Sequence, residues 1–217
     1  MANGLAFPEA EAQTIIEYAR RTSAPAAEAI VDRVRDWLGH PETVTDRAEA
    51  WDPAAKRAIV DAKESIVACR GKLAEYWEGP AYDSFMAYLG SIEKAFDDAH
   101  DLMSGMSDLM ENSRETVTET YRAAIQSIGD CAADILEAVG GIPGTTPDWL
   151  GILGEIARLL AKFVRSVTDL ENQALGTITE YGETGLELQR KAADLKVPTR
   201  MPSSAGVADD WGVRRQP

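Results

Sequence analysis

The chain has 217 residues, of which 45% are hydrophobic, and its 36 acidic and 22 basic residues give a net charge of −14 at pH 7. This length and composition suit a single packed domain. A surface this negative repels phosphate groups, which argues against a nucleic-acid partner and against binding of anionic lipid through charge alone.

Proline and serine residues mark the first elements of the chain. Pro8 predicts the start of a helix that runs to about Arg21. Ser23 and Pro25 suit the N-cap and first turn of a second helix. We therefore expect N-terminal helices over residues 8–38, and a further helix that begins somewhere between Glu42 and Pro53 and runs to Trp77.

Three long stripes of apolar residues then follow, with spacings of mostly three and four residues. A period near 3.5 predicts long helices that pack side by side at shallow angles, and no segment alternates with period two for long enough to predict a strand. The stripes comprise Ala55, Ile59, Ala62, Ile66, Cys69, Leu73 and Tyr76; Phe85, Leu89, Ile92, Phe96, Ala99, Met103, Met106, Met110, Val117, Tyr121, Ile125, Ile128, Ala132 and Ile135; and Trp149, Leu153, Ile156, Leu160, Phe163, Val167, Leu170 and Ala174.

These elements predict an all-α fold, an elongated antiparallel helical bundle built around a long helix–Trp-x-Gly–helix hairpin. The hairpin covers residues 42–138, and a return helix over 148–195 completes a single domain at 1–196. Residues 197–217 are rich in Pro, Ser and Gly and have no apolar period, so we expect a disordered tail. Because Cys69 and Cys131 lie at apolar positions of the stripes, we expect both to be buried free thiols.

Few residues could carry chemistry. Asp97 and His100 have the i, i+3 spacing of helical metal sites, but the second pair and the additional carboxylates that such a site needs are missing from the pattern. The glycines do not follow strands, so no phosphate-binding loop is predicted. We therefore expect no metal, no cofactor and no enzymatic activity.

The turn between the first two stripes is the most informative motif. It reads Tyr76-Trp77-Glu78-Gly79-Pro80. Gly79 permits the positive φ of a tight reversal, and Pro80 suits the first turn of the following helix. One interpretation is a simple helix–helix connection covered by an aromatic ring. The other is a functional hairpin tip formed by Trp77 and Gly79.

The segment from about Glu42 to Met110 resembles the WxG family, the helical-hairpin substrates of type VII (ESX-type) secretion. The helices on either side make the chain similar to the longer PPE-type or WxG-like secretion-associated proteins of actinobacteria. The resemblance implies a non-enzymatic protein that is exported as a folded bundle and acts through helix–helix recognition. It also implies a homo-oligomer or a small helical-hairpin partner, and contact with the secretion machinery. Trp77 and Gly79 correspond to the hairpin-tip element near the export signal.

Two features bear on this expectation. The first twelve residues lack a basic region followed by an apolar region, so we expect a secreted or cell-surface protein without a cleaved signal peptide. None of the six tyrosines is followed four residues later by Asp or Glu, so the Tyr-x-x-x-Asp/Glu part of the export signal would come from a partner, take a variant form or be absent.

Two alternative functions stay open at this point. A cytoplasmic helical scaffold or adaptor would explain the heptads and the missing tyrosine motif, with Trp77 incidental. A membrane-active exported bundle would open to expose the apolar face at 150–164, although we expect that face to be ordinary core and its charges leave no stable membrane span.

Overall fold

The computed structural model describes residues 6–37, 53–140 and 149–214. Within those ranges it is an all-α helical bundle, as the sequence predicted. The helices are α1 (Glu9–Arg21), α2 (Pro25–Trp37), α3 (Pro53–Tyr76), α4 (Pro80–Gly140) and α5 (Trp149–Ala193). The predicted helix start between Glu42 and Pro53 falls mostly outside the described residues. The other described helix ends lie within a few residues of their predicted positions.

The chain divides into two compact units. One unit takes its described residues from Met1–Val44 and Asn112–Tyr181, and the other from Thr45–Glu111 and Gly182–Pro217. Both long helices, α4 and α5, contribute residues to each unit. Heptad periodicity continues along both helices, so it could not reveal where one unit ends and the next begins.

The first unit contains the large hydrophobic core. Apolar side chains of α1 and α2 pack with the C-terminal half of α4 and the N-terminal half of α5. The fully buried large side chains include Ile15, Val31, Val34, Tyr121, Ile128, Ile135, Ile156, Leu160 and Val167. The stripes of α4 and α5 predicted the core positions on those two helices correctly, because residues spaced by three and four share one face of a helix. No core position on α1 or α2 was predicted from the sequence.

Polar contacts also join pairs of helices in this unit. The Arg33 guanidinium of α2 lies 2.7 Å from a Glu171 carboxylate oxygen of α5. The hydroxyls of Thr116 on α4 and Tyr181 on α5 are 3.1 Å apart. Ser23, between α1 and α2, has φ 53°, a left-handed conformation that reverses the chain there.

The apolar segment at 150–164 belongs to this core. Ile156, Leu160 and Phe163 are buried, and Ile152 and Val164 pack against them. Among the described residues, no helix has a stretch long and apolar enough to cross a membrane. The sequence-based preference for a core helix over an exposed apolar face therefore agrees with the burial of these side chains.

The two cysteines differ, which corrects the expectation that both are buried. Cys131 is buried in the first unit, whereas Cys69 on α3 is exposed. Burial raises the pKa of the Cys131 thiol from 9.0 to about 12, and Asp134 adds to this shift by repelling the thiolate. The stripe predicted an inward position for Cys69, and the exposure of this side chain on α3 contradicts that prediction.

This difference predicts the thiol reactivity of the folded protein. At pH 8 we expect Ellman's reagent to modify Cys69 at once, and Cys131 only after unfolding in denaturant, since the thiolate is the reactive form. Between pH 9 and 12 the folded state holds the Cys131 proton that the unfolded state releases, so the free energy of unfolding should fall as the pH rises. Rapid modification of two thiols in native protein would contradict the burial of Cys131.

The second unit is built on the α3–α4 hairpin. The Lys63 ammonium lies 2.5 Å from an Asp97 carboxylate oxygen, and the Arg70 guanidinium lies 3.0 Å from Glu93. The later residue of α3, Arg70, thus pairs with the earlier residue of α4, Glu93, which shows that α3 and α4 are antiparallel. The C-terminal part of α5 packs on the same unit, with Leu188 against Gly105.

Little of this unit is buried. Among the side chains that the structure describes in α3, from 55 to 76, none is fully buried. Elsewhere in the unit the buried apolar residues are small, apart from Leu89. The apolar stripe of α3 is therefore only partly covered among the described residues, and Cys69 within it is exposed.

The C-terminal segment is ordered through Arg214, which corrects the expectation of a disordered tail from 197 onward. Two short 3-10 helices, Ser203–Gly206 and Ala208–Asp210, lead into a two-residue strand β2 (Gly212–Val213). This strand pairs antiparallel with β1 (Trp77–Glu78), at the turn of the hairpin. Composition gave no sign of this order because the contacts that stabilise the segment come from the distant residues of β1 and α4.

Candidate functional site

The turn of the α3–α4 hairpin, which we call the tip, comprises Tyr76 to Pro80. Helix α3 ends at Tyr76, the chain is extended over Trp77 and Glu78, and Gly79 reverses it with φ +108°. Pro80 then opens α4 in the first turn, where its missing N–H needs no partner. The Asp83 N–H donates to the Gly79 carbonyl oxygen at 3.0 Å, which closes the first helical turn.

The structure explains why glycine is needed at position 79. A φ of +108° is a conformation that residues with a Cβ rarely adopt. A Cβ built on Gly79 would also lie 2.5 Å from the Asp210 carbonyl oxygen of the C-terminal segment. The glycine therefore serves both the reversal and the close approach of a second chain segment, and only the first of these could be predicted from sequence.

Aromatic side chains of the tip and of the first turns of α4 contact Trp211, a residue that the sequence analysis missed. The Trp211 ring centroid lies 5.6 Å from that of Trp77, with the two ring planes perpendicular. Tyr82 and Phe85, on the first turns of α4, lie 6.2 and 5.9 Å from the same ring. The Trp77 and Tyr82 rings meet Trp211 edge to face, whereas the Phe85 ring is tilted at 55°. Edge-to-face pairs are favourable beyond the area they bury. We call Trp77, Tyr82 and Phe85 the aromatic socket.

Backbone contacts hold the same segment along the tip. The registered pairs are Trp77 with Val213 and Glu78 with Gly212. The Arg214 N–H donates to the Tyr76 carbonyl oxygen at 2.8 Å, which extends the pairing by one residue. Although the composition of the tail predicts disorder, one signal was present in the sequence, since Trp211 is the only aromatic residue between positions 197 and 217.

A second feature of the unit is an open groove between α3 and α4. It has a volume of about 480 Å³ and is lined by Ile59, Val60, Lys63, Glu64, Val67, Ala68, Phe96, Asp97 and His100. Val60 and Val67 are 38% and 48% exposed, so two large apolar side chains one heptad apart face solvent. This surface has the pattern of a helix-binding face, with apolar side chains at its centre and charged ones at its rim.

The candidate metal pair does not form a site. The Asp97 carboxylate binds Lys63, and the nearest acidic partner of His100 is Asp101, with a 3.7 Å separation between Nδ1 and Oδ1. Among the residues that the structure describes, no group of three or more His, Cys, Asp or Glu side chains could hold a metal ion. The two expected site residues, Trp77 and Gly79, do meet at the tip.

Comparisons with known proteins leave the family of the chain open. No protein-family model matches it, and neither the curated proteins nor the solved structures contain a match.

Proposed function

We propose that the chain is a non-enzymatic substrate or accessory protein of a type VII (ESX-type) secretion system, and that it acts by helix–helix recognition. The observation that carries the proposal is the tip, where Trp77 and Gly79 close a long antiparallel hairpin. The reversal depends on the positive φ of Gly79, and Trp77 lies half-buried beside it. These are the two residues for which the sequence resembles the WxG family.

The α3–α4 hairpin is the part of the chain that we propose binds a partner. Its apolar stripe is incompletely covered, and Val60 and Val67 project beside the groove that also contains Phe96. Burying these side chains would contribute roughly 25 cal/mol per Å² of apolar area removed from water. We propose a second copy of the chain or a small helical-hairpin protein as the partner, because either would supply helices of matching period.

A second candidate function is an intracellular helical scaffold or adaptor. One specific observation favours it, namely that Trp77 contacts Trp211 of the chain's own C-terminal segment. In this alternative Trp77 is a structural residue that anchors the segment, and the missing Tyr-x-x-x-Asp/Glu motif reflects a protein that is not exported. The hairpin groove would still bind a helical partner.

Export from the native host distinguishes the two candidates. We expect the protein in culture filtrate, and we expect that signal to vanish when the type VII ATPase is deleted, as measured by immunoblotting with a lysis marker. Protein found only in the lysate of a host with a working secretion system would rule out export and favour the scaffold.

A substitution at the tip tests the role of Trp77 in export. We expect Trp77→Ala to abolish the filtrate signal while the lysate level and helical content stay unchanged. Tyr76→Ala is the matched control, since Tyr76 is the adjacent aromatic residue and its side chain is 51% exposed. It should be exported like the wild type. Equal export of the two variants would show that Trp77 is not part of the signal.

A further inference from the structure

The C-terminal segment, residues 203–214, contacts the tip through both backbone and side chains. The backbone pairs along Tyr76 to Glu78, and the Trp211 ring lies in the aromatic socket. These are the two components of peptide recognition by strand addition, where main-chain hydrogen bonds give affinity and a side-chain pocket gives specificity. The tip therefore has the properties of a peptide-binding site whose occupant belongs to the same chain.

The segment is shaped for this position. The Trp211 indole N–H donates to the Ala205 carbonyl oxygen at 3.0 Å, so the docked ring is also oriented by a hydrogen bond to the backbone of its own segment. Ala205 is only 2% exposed, although it lies in a short polar stretch near the C-terminus. The docked segment therefore folds back on itself between Ala205 and Trp211.

Position 212 adds a steric requirement. A Cβ on Gly212 would lie 3.2 Å from the Glu78 carbonyl oxygen and 3.3 Å from its Cγ. Gly212 is thus held close to the backbone of Glu78. A side chain at position 212 would have to shift Glu78 slightly to fit. The Arg214 guanidinium lies 3.8 Å from the Glu78 carboxylate at an exposed position, so this ion pair contributes little.

We propose that the tip is a binding site for a peptide in which a tryptophan is followed by a short extended stretch that begins with glycine, and that residues 203–214 of this chain occupy it in cis. In this state the segment covers Trp77 and satisfies the open edge of β1. A partner that binds Trp77 must first displace the segment. This inference concerns the folded protein in isolation, and it goes beyond the proposed function because it stands whether or not the protein is exported.

Hydrogen exchange of the full-length protein tests whether the C-terminal segment occupies the tip. In the wild type we expect the Arg214 amide to be protected, because it donates to Tyr76. Trp211→Ala removes the ring from the socket and should accelerate exchange of this amide roughly ten-fold or more, as expected for loss of several aromatic contacts. Val213→Ala is the matched control in the same strand, since Val213 is 69% exposed, and it should leave the exchange rate near that of the wild type.

A peptide added in trans tests the site itself. A synthetic peptide of residues 201–214 should shift the NMR signal of the Trp77 indole N–H in the full-length Trp211→Ala protein. Binding to the wild type should be at least about ten-fold weaker, because the tethered segment competes at a high effective concentration. The same peptide with Trp211→Ala should not bind either protein.

Three results would overturn the proposal. The first is Arg214 exchange that is the same in Trp211→Ala and in the wild type. The second is a Trp77 signal that does not respond to the peptide in the Trp211→Ala protein. The third is Arg214 protection in the wild type that falls on dilution, which would assign the occupant to a second copy rather than to the same chain. Secretion of the protein affects none of these measurements, so they succeed or fail independently of the export assay.

Discussion

We expect Leu160→Ala to lower the free energy of unfolding by about 2–5 kcal/mol, the usual cost of truncating a fully buried leucine. Leu160 lies on α5 at 0% exposure, within the core that α1, α2, α4 and α5 form in the first unit. Removal of its branched end leaves a cavity that close-packed neighbours fill only in part. Urea unfolding followed by circular dichroism at 222 nm gives the difference.

Leu175→Ala provides the matched control for this prediction. It is the same substitution in the same helix and the same unit, but Leu175 is 55% exposed. Its effect should stay within about 0.5 kcal/mol, as is usual for surface positions. Similar losses for the two variants would mean that the core does not lie where the structure places it.

The second large effect is expected at the hairpin tip. Gly79→Ala forces a residue with a Cβ into φ +108° and brings that Cβ within 2.5 Å of the Asp210 carbonyl oxygen. Backbone strain of this kind costs on the order of 1–3 kcal/mol. We expect the second unit to be destabilised by about that amount, and the C-terminal segment to detach from the tip. Urea unfolding and hydrogen exchange of the Arg214 amide measure the two consequences.

Gly71→Ala is the control with the opposite expected sign. Gly71 lies within α3, and nothing lies within 4 Å of a Cβ built on it. Alanine is favoured over glycine in a helix by roughly 0.5–1 kcal/mol, so this variant should be more stable than the wild type. If Gly79→Ala were as stable as Gly71→Ala, that result would contradict both the positive φ of Gly79 and the close approach of the Asp210 carbonyl oxygen.

Much of the fold followed from the sequence because helices are recognised from local patterns. Pro25, Pro80 and the glycine before it mark helix boundaries through backbone restrictions that act within one or two residues. Apolar residues at spacings of three and four identified the buried face of α5, including Ile156, Leu160 and Phe163. The position of the reversal at Gly79 also followed from the sequence, since a tight turn between two long helices requires a residue that tolerates positive φ.

The sequence by itself therefore determined the helices, the apolar faces of the long helices α3, α4 and α5, and the position of the hairpin turn. Only the tertiary structure decided which of those faces is covered. Cys69 and Leu160 both occupy apolar stripes, but Leu160 is buried by helices from elsewhere in the chain and Cys69 is exposed. The order of the C-terminal segment was decided in the same way. Its composition predicts disorder, because local propensity cannot register the contacts that Trp211 makes with Trp77, Tyr82 and Phe85, far earlier in the chain.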